Sequence, residues 1–414
     1  MDALMLARLQ FALTAGSHFL FVALTLGLAT LVALMQTRAT LSGGAVHARM
    51  VRFWGQLYVV NYAVGIVTGL VMEFQFGLNW GGMSAMTGEV FGAPLAMETI
   101  AAFFVESTFL GLWIFGWDRL NRWLHLALIW VVTLTAYLSA YFILVANGWL
   151  QRPVGYVLEG GRARLTDVGA LLANPTAVLA FGHVLFGGLL TAGVFVAGVS
   201  AYHLRRRTGE VEFFRRSMRI GLVALIVGAV VTPTWGGMQF SYLQPTKHGA
   251  TEEGLAEQAR FVAAFGPGDY LAPGGAKAGE VLMLMAWQLL MLVALAALVK
   301  VWFGRWLVRG RVFHVVLMLA VPLPYVAMVA GWVFREIGRQ PWMVYGVLTT
   351  REALSKADPG WMAVSFVVFT VLMVLLLVVN AWLLVRFARR GPDGVQLGAA
   401  PPARPAEPAL VPTY

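Results

Sequence analysis

Several ionisable residues of this chain lie where the surrounding sequence is almost wholly apolar. His18 sits in "LTAGSHFLF" and His183 in "VLAFGHVLFGG". Glycine or alanine beside each imidazole leaves room on a helix face for a flat macrocycle to approach the backbone. A neutral imidazole can ligate haem iron; it can equally hydrogen-bond to a neighbouring helix. Glu98 and Glu106 share the stretch "GAPLAMETIAAFFVESTF". Eight residues of α-helix advance about 12 Å and turn about 80° beyond two full circles. Carboxylates so spaced suit a proton relay better than a shared acid–base pair. Ser107 follows Glu106 directly, and Ser139 in the next apolar run can extend a hydrogen-bonded chain. Last, "WVFREIGRQPW" sets Glu336 between Arg335 and Arg339, with Gln340 next and Pro341 as a stop. A membrane helix often ends on a basic or aromatic residue, but a carboxylate among them calls for a partner.

The elements that must position these groups are membrane helices. Of 414 residues, 59% are hydrophobic and only 12% charged, against about a quarter charged in soluble domains. Spans of about 20 apolar residues cross a bilayer, and nine are expected, at about 9–36, 52–73, 92–117, 123–146, 176–203, 218–238, 280–303, 313–334 and 362–386. The reading is an all-α polytopic membrane protein with about nine transmembrane helices. Residues 1–390 form the membrane domain, with a long polar loop at about 239–279, and the Pro/Gly/Ala-rich residues 391–414 form a disordered tail. The first apolar stretch is too long for a signal peptide and reads as the first span.

The net charge of +10 is placed by the positive-inside rule rather than by nucleic acid, since no basic stripe with interleaved aromatics lies outside the spans. With the N-terminus outside, inside segments hold 19 Lys/Arg and outside segments 11, so the C-terminus is expected in the cytoplasm. Cysteine is absent, which excludes disulfides, thiolate-ligated haem and iron–sulfur clusters within the chain. His47, His125, His203, His248 and His314 fall near span ends or in loops, where solvated or interfacial roles are expected. The methionines are expected mainly to fill packing gaps, and Glu73 reads as a terminus charge. No repeat of fixed period appears, which argues against an inverted-repeat transporter.

The motifs are also familiar in combination. "LARLQFALTAGSHFLFVALTLGL", "MEFQFGLNW", "VFGAPLAMETIAAFFVESTFLGLWIFGWDRL", "VANGWLQRPVGY" and "GRQPW" resemble subunit I of the cytochrome bd-type quinol oxidases, over spans one to six and eight to nine in order. The resemblance implies a low-spin haem b, a high-spin haem b and a haem d (or a third b haem). It implies quinol as electron donor and oxygen reduced to water, electrogenically, with protons drawn from the inside. His18 matches the ligand of one high-spin haem, Glu336 that of the other, and His183 one ligand of the low-spin haem. Glu98, Glu106, Ser107 and Ser139 match positions of the haem environment and proton path. Trp332 matches a tryptophan beside the haems; Arg339 and Gln340 match residues near the haems and their propionates. Lys247 and Glu252, in "QPTKHGATEE", match the quinol-site lysine and glutamate. The resemblance further implies a second membrane subunit as heterodimeric partner, small single-helix accessory subunits, and a prokaryotic cytoplasmic membrane.

Two stretches depart from the family pattern. The family's second low-spin ligand is a methionine in helix seven; aligning Trp287-Gln288 puts Leu290 there, a one-residue shift puts Met291 there, which is the expected ligand, and Met283 and Met285 lie one to two turns earlier. In "TPTWGG", Thr234 stands where an aspartate is expected. Two other readings compete: a haem-bearing relative with a different donor or acceptor, and an ion-coupled transporter, which would leave His18 and His183 unexplained.

Overall fold

The computed structural model describes residues 2–302 and 304–398, without the side chains of 101–103, 304 and 306. Among the described residues, nine helices are long and apolar enough to cross a membrane. They are α1 (Ala3–Ser42), α2 (Ala45–Asn79), α3 (Gly81–Phe115), α4 (Arg122–Gln151), α5 (Pro175–Arg206), α6 (Val211–Gln239), α8 (Gly274–Lys300), α9 (Arg311–Ile337) and α10 (Pro359–Arg390). A tenth helix, α7 (Glu252–Phe265), lies in the loop after α6. The nine spans therefore fall where the apolar runs predict, and most of the helices extend well beyond them. Local capping supplies the extra turns. The Asp2 carboxylate accepts the Met5 N–H at 2.8 Å to open α1, and Asp358 does the same for Gly360 at 2.8 Å in α10. Gly43, at φ 64°, closes α1 in the left-handed conformation that glycine adopts without strain.

Two spans depart from regular α-helix. In α3, residues Ile100–Glu106 are π-helical. The wider turn advances fewer degrees per residue, so the angle of about 80° between Glu98 and Glu106 taken from α-helical geometry does not hold. In α9, the helical segments Arg311–Ala320 and Leu323–Ile337 meet at Val321-Pro322, where proline removes a backbone donor.

α1, α5 and α6 form the centre. A methyl group on Gly27 of α1 would sit 2.1 Å from the Gly188 carbonyl oxygen of α5, and one on Gly193 of α5 would sit 2.5 Å from the Leu225 nitrogen of α6. The backbones can approach this closely only because those side chains are hydrogen. α2 packs on α1, α8 on α9, and α10 on α1 and α2.

The chain ends gather on two faces. On the N-terminal face, the hairpin of β1 (Tyr156–Glu159) and β2 (Arg162–Leu165), α7, and the hairpin of β3 (Trp342–Val344) and β4 (Leu348–Thr349) cover the helix ends. Trp342, Phe261, Tyr270 and Tyr345 form an aromatic cluster that holds α7 in place. On the opposite face, the Arg49 guanidinium bridges Glu210 and Asp393.

Residues 391–398, which the sequence reading assigns to the tail, turn back over this second face. The Gln396 N–H bonds Gln56 at 2.7 Å, and Leu397 is buried. The rest of that tail, 399–414, lies outside the described residues.

Of the five histidines expected to be solvated or interfacial, four are not solvated. His47, His125, His203 and His314 are buried, and only His248 is exposed. His125 accepts from Gln36 and donates to the Trp113 carbonyl at 2.8 Å; His203 donates to the Ala388 carbonyl at 2.8 Å. Each sits near a helix end where a carbonyl lacks an intrahelical donor, and the imidazole satisfies it.

Candidate redox-cofactor site

Both mid-span imidazoles are fixed in one tautomer by their neighbours. His183 Nδ1 lies 2.9 Å from the Thr232 carbonyl oxygen of α6. A carbonyl only accepts, so Nδ1 carries the proton and Nε2 presents its lone pair. His18 Nδ1 lies 2.9 Å from Thr68 Oγ1 of α2, and that hydroxyl already donates its proton to the Gly65 carbonyl at 2.7 Å. His18 Nδ1 must therefore donate, which again leaves Nε2 as a free base. Neither Nε2 has a hydrogen-bond partner among the described residues. Both side chains are incompletely covered despite lying mid-helix, and a methyl group on Gly16 would meet nothing within 4 Å. An imidazole held at Nδ1 with Nε2 facing open space is arranged for axial ligation.

Glu336 is buried at the end of α9. Its Oε1 accepts from Asn147 Nδ2 of α4 at 2.8 Å, and its Oε2 accepts from the Arg339 guanidinium, which also donates to the Met343 carbonyl. Arg335 is not the interfacial charge that its place at a span end suggests. It turns inward, donating from Nε to Asn147 Oδ1 at 2.7 Å and from Nη1 to Gln239 Oε1 at 3.1 Å. Arg8 of α1 joins this end, donating to Gln340 Oε1 at 2.7 Å and Thr350 Oγ1 at 2.5 Å. The Trp332 ring packs 5.6 Å from Phe19 and 6.2 Å from Phe11. Among the described residues, buried donors at this end without an acceptor include Arg8 Nε, Asn79 Nδ2, Trp80 Nε1, Arg335 Nη2 and Arg339 Nε. Buried cations and N–H groups without acceptors are costly. The carboxylates of haem propionates are acceptors of the required sign and kind, so the residues present fit a haem group.

The carboxylates of α3 divide into two clusters. Glu98 accepts from Ser139 Oγ at 3.1 Å and lies beside Glu73 of α2. Thr99 Oγ1 reaches Glu73 at 3.1 Å. Glu73 therefore lies beside Glu98 within the bundle rather than standing as a simple helix-end charge. Glu106 is 3% exposed, its Oε1 lacks a partner, and it faces Tyr58 and Tyr62 of α2. Ser107 Oγ lies 3.4 Å from Tyr62 OH, on the Glu106 side. The apolar frame of Glu73 and the tyrosines gave no sign of this pairing, which only the packing of α2 on α3 creates.

Two contacts put Met283 at about the axial level of His183. The Phe334 ring of α9 stacks on Phe240, just past α6, at 6.0 Å. Gly331, one turn back on α9, is therefore level with about residue 237 of α6, next to Gly236 on the His183 ring. A methyl group on Gly236 would sit 2.9 Å from His183 Nδ1, and one on Gly331 would sit 2.6 Å from Met283 Sδ. Trp287, one turn further along α8, bonds the Ala229 carbonyl of α6 at 2.9 Å. Met291 lies beyond Trp287, about 12 Å along the axis from Met283, and packs against the central apolar core.

The proposed quinol residues separate. Lys247 turns into the bundle. It donates to the Arg335 carbonyl at 3.0 Å and lies 4.8 Å over the Phe334 ring. Burial, and then the Arg335 charge, bring its amine from the usual lysine range down to about 7. Glu252 is exposed in the first turn of α7. A small cleft of about 30 Å³ opens beside Lys247, between Gln151, Gln239, Tyr242 and Gln244. Thr234, at the position of the missing aspartate, is half-buried and bonds only within its helix, to the Val230 carbonyl.

Nine apolar helices around two free imidazole bases, a buried carboxylate and unmatched cationic donors define a membrane protein built to hold an anionic redox cofactor. The family described as cytochrome bd terminal oxidase subunit I matches residues 6–269 and 281–392. Cytochrome bd ubiquinol oxidase subunit 1 of Bacillus subtilis (strain 168) is 36% identical, over 95% of this chain and 95% of that protein. Cytochrome bd-II ubiquinol oxidase subunit 1 of Escherichia coli (strain K12) is 31% identical, over 95% and 98%. The solved bd oxidase from Geobacillus thermodenitrificans shares the fold, with a TM-score of 0.82 at 24% identity, covering 94% of this chain and 99% of that one. The chain belongs to the cytochrome bd terminal oxidase subunit I family.

Proposed function

We propose that this chain is the haem-bearing subunit of a membrane oxidase that takes electrons from quinol and reduces oxygen to water. The observation that carries the reading is the pair of mid-span imidazoles with Nδ1 committed and Nε2 free, set in one bundle with the Glu336 carboxylate. Bound haem supplies one-electron transfer and an iron at which oxygen is reduced.

Three haems are expected: low-spin b, high-spin b, and d or a third b. His183, with Met291 as the sequence reading expects or Met283 as the helix register favours, would hold the low-spin haem, which would serve electron transfer rather than oxygen binding. His18 and Glu336 would each hold one high-spin haem. Arg339 holds the Glu336 carboxylate in place. Arg8, Arg335 and Gln340 bind propionates, and Trp332 fills the space between α1 and α9. Glu106 and Ser107, then Glu98, Ser139 and Glu73, hold and pass protons towards the haems. With the N-terminus outside and the C-terminus cytoplasmic, α3 runs inward, so Glu106 is the cytoplasmic member of that path. Lys247 donates to a quinol oxygen. A cleft of about 30 Å³ holds roughly one water, so seating a quinol ring requires the loop to part and brings Glu252 inward as proton acceptor.

The heterodimer with the second oxidase subunit is the working unit in the prokaryotic cytoplasmic membrane, with small accessory subunits where present. The test is a reduced-minus-oxidised spectrum with pyridine haemochrome analysis, alongside oxygen uptake with added quinol. A purified complex without a Soret band would sink the oxidase reading. Haem spectra without quinol-driven oxygen uptake would instead favour a relative with a different donor or acceptor.

A further inference from the structure

On the face opposite the N-terminus, away from the redox site, a cavity of about 510 Å³ lies where α5 ends and α6 and α9 begin. Four arginines line it: Arg205, Arg207, Arg309 and Arg311. None of the four forms an ion pair among the described residues; Arg205 donates only to the Arg311 carbonyl, at 3.1 Å. The lining carboxylate, Glu210, is already paired with Arg49 at 2.8 Å. The cavity thus carries an excess of fixed positive charge.

The backbone adds to this charge. Neither α6 nor α9 has a side-chain cap at its N-terminus. Both helices begin at the cavity, which Val211 and Arg311 line, and bring the positive ends of two helix dipoles to it. At the wall lies His314, which is 0% exposed. Its Nε2 donates to the Leu307 carbonyl at 2.6 Å, and its buried Nδ1 has no partner. Arg207 closes α5 in the left-handed conformation, φ 56°, which an arginine adopts less readily than glycine. Arg207 lines the cavity.

We propose that this cavity is a binding site for a phosphate-bearing anion. Guanidinium groups and the positive ends of helices bind phosphate oxygens with charge-assisted hydrogen bonds. The phosphate can belong to an anionic phospholipid at the membrane surface or to a soluble phosphate compound. The site is independent of the redox reading.

The test uses the purified heterodimer with its haems, stripped of lipid in neutral detergent. Binding is measured by native mass spectrometry and thermal shift with phosphatidylglycerol, phosphatidylcholine and pyrophosphate in separate arms. The comparison protein carries Arg207→Gln and Arg309→Gln, both exposed side chains whose loss leaves the packing intact; unchanged haem spectra verify its fold. The expected result is phosphatidylglycerol binding weakened at least tenfold in the double variant, with phosphatidylcholine unaffected. Pyrophosphate binding weakened tenfold without a phosphatidylglycerol effect would assign the same site to a soluble anion. Equal affinity of wild type and variant for both anions would overturn the proposal.

Discussion

The two methionines of α8 make a clean test of how the low-spin haem is held. Met283 and Met291 are eight residues apart, about 12 Å along one helix and about 80° around it. A methionine sulfur extends only about half that distance from its backbone, so a haem ligated by His183 can reach one of them and not both. The contacts Phe334–Phe240 and Trp287–Ala229 put Met283 at the His183 level. Met283→Leu preserves volume and helix propensity, so packing should cost less than about 1.5 kcal/mol. It should nevertheless abolish the sharp α-band of the low-spin haem and slow quinol-driven oxygen uptake roughly 100-fold, because a lost axial ligand removes the electron entrance. Met291→Leu should cost a similar, small amount of stability and change activity less than about twofold. The assay is a reduced-minus-oxidised spectrum and oxygen electrode trace on each purified heterodimer. Loss of the low-spin band in Met291→Leu, with Met283→Leu spectrally intact, would refute the register argument.

Glu336→Gln should remove one high-spin haem signal and oxygen reduction. It also leaves the Arg339 guanidinium buried without its carboxylate, so thermal stability should fall by about 3 kcal/mol; an unchanged spectrum and melting curve would rule the ligand role out. Quinol binding should weaken as pH rises through about 7, since the Lys247 amine is brought down to that value by burial. The protonated, donating form then falls from about nine-tenths at pH 6 to about a tenth at pH 8. In Lys247→Gln the quinol KM should be raised at every pH and lose this inflection, and a KM profile that keeps it would assign the titration to another group. Gly27→Ala places a methyl group 2.1 Å from the Gly188 oxygen, so the yield and melting temperature of the complex should drop, by about 1–3 kcal/mol of stability. Wild-type melting would show that α1 and α5 can separate at little cost.

The number and course of the spans were legible in the sequence because a bilayer demands about 20 apolar residues per crossing, and "TLVALMQ" or "VLMVLLLVVNAWLLV" permits no other reading. The ionisable residues inside those runs marked the site for the same reason: burying His18, His183, Glu98, Glu106 or Glu336 is costly enough that each stood out against its surroundings. What those residues face was another matter. Whether His183 meets Met283 or Met291 depends on the axial register of α8 against α6 and α9, which packing sets and periodicity does not. Glu73 looks like a helix terminus until α2 lies against α3 and its carboxyl meets Glu98. Arg335 looks like an interfacial charge until α4 and α6 bring Asn147 and Gln239 to it. The burial of His125, His203 and His314 was not legible because proximity in the chain to a charged loop says nothing about which carbonyl a folded helix end will offer an imidazole. Hydropathy is a property of each residue and survives in the sequence. A hydrogen-bond partner is a property of two helices at one relative height, and only the tertiary structure decides it.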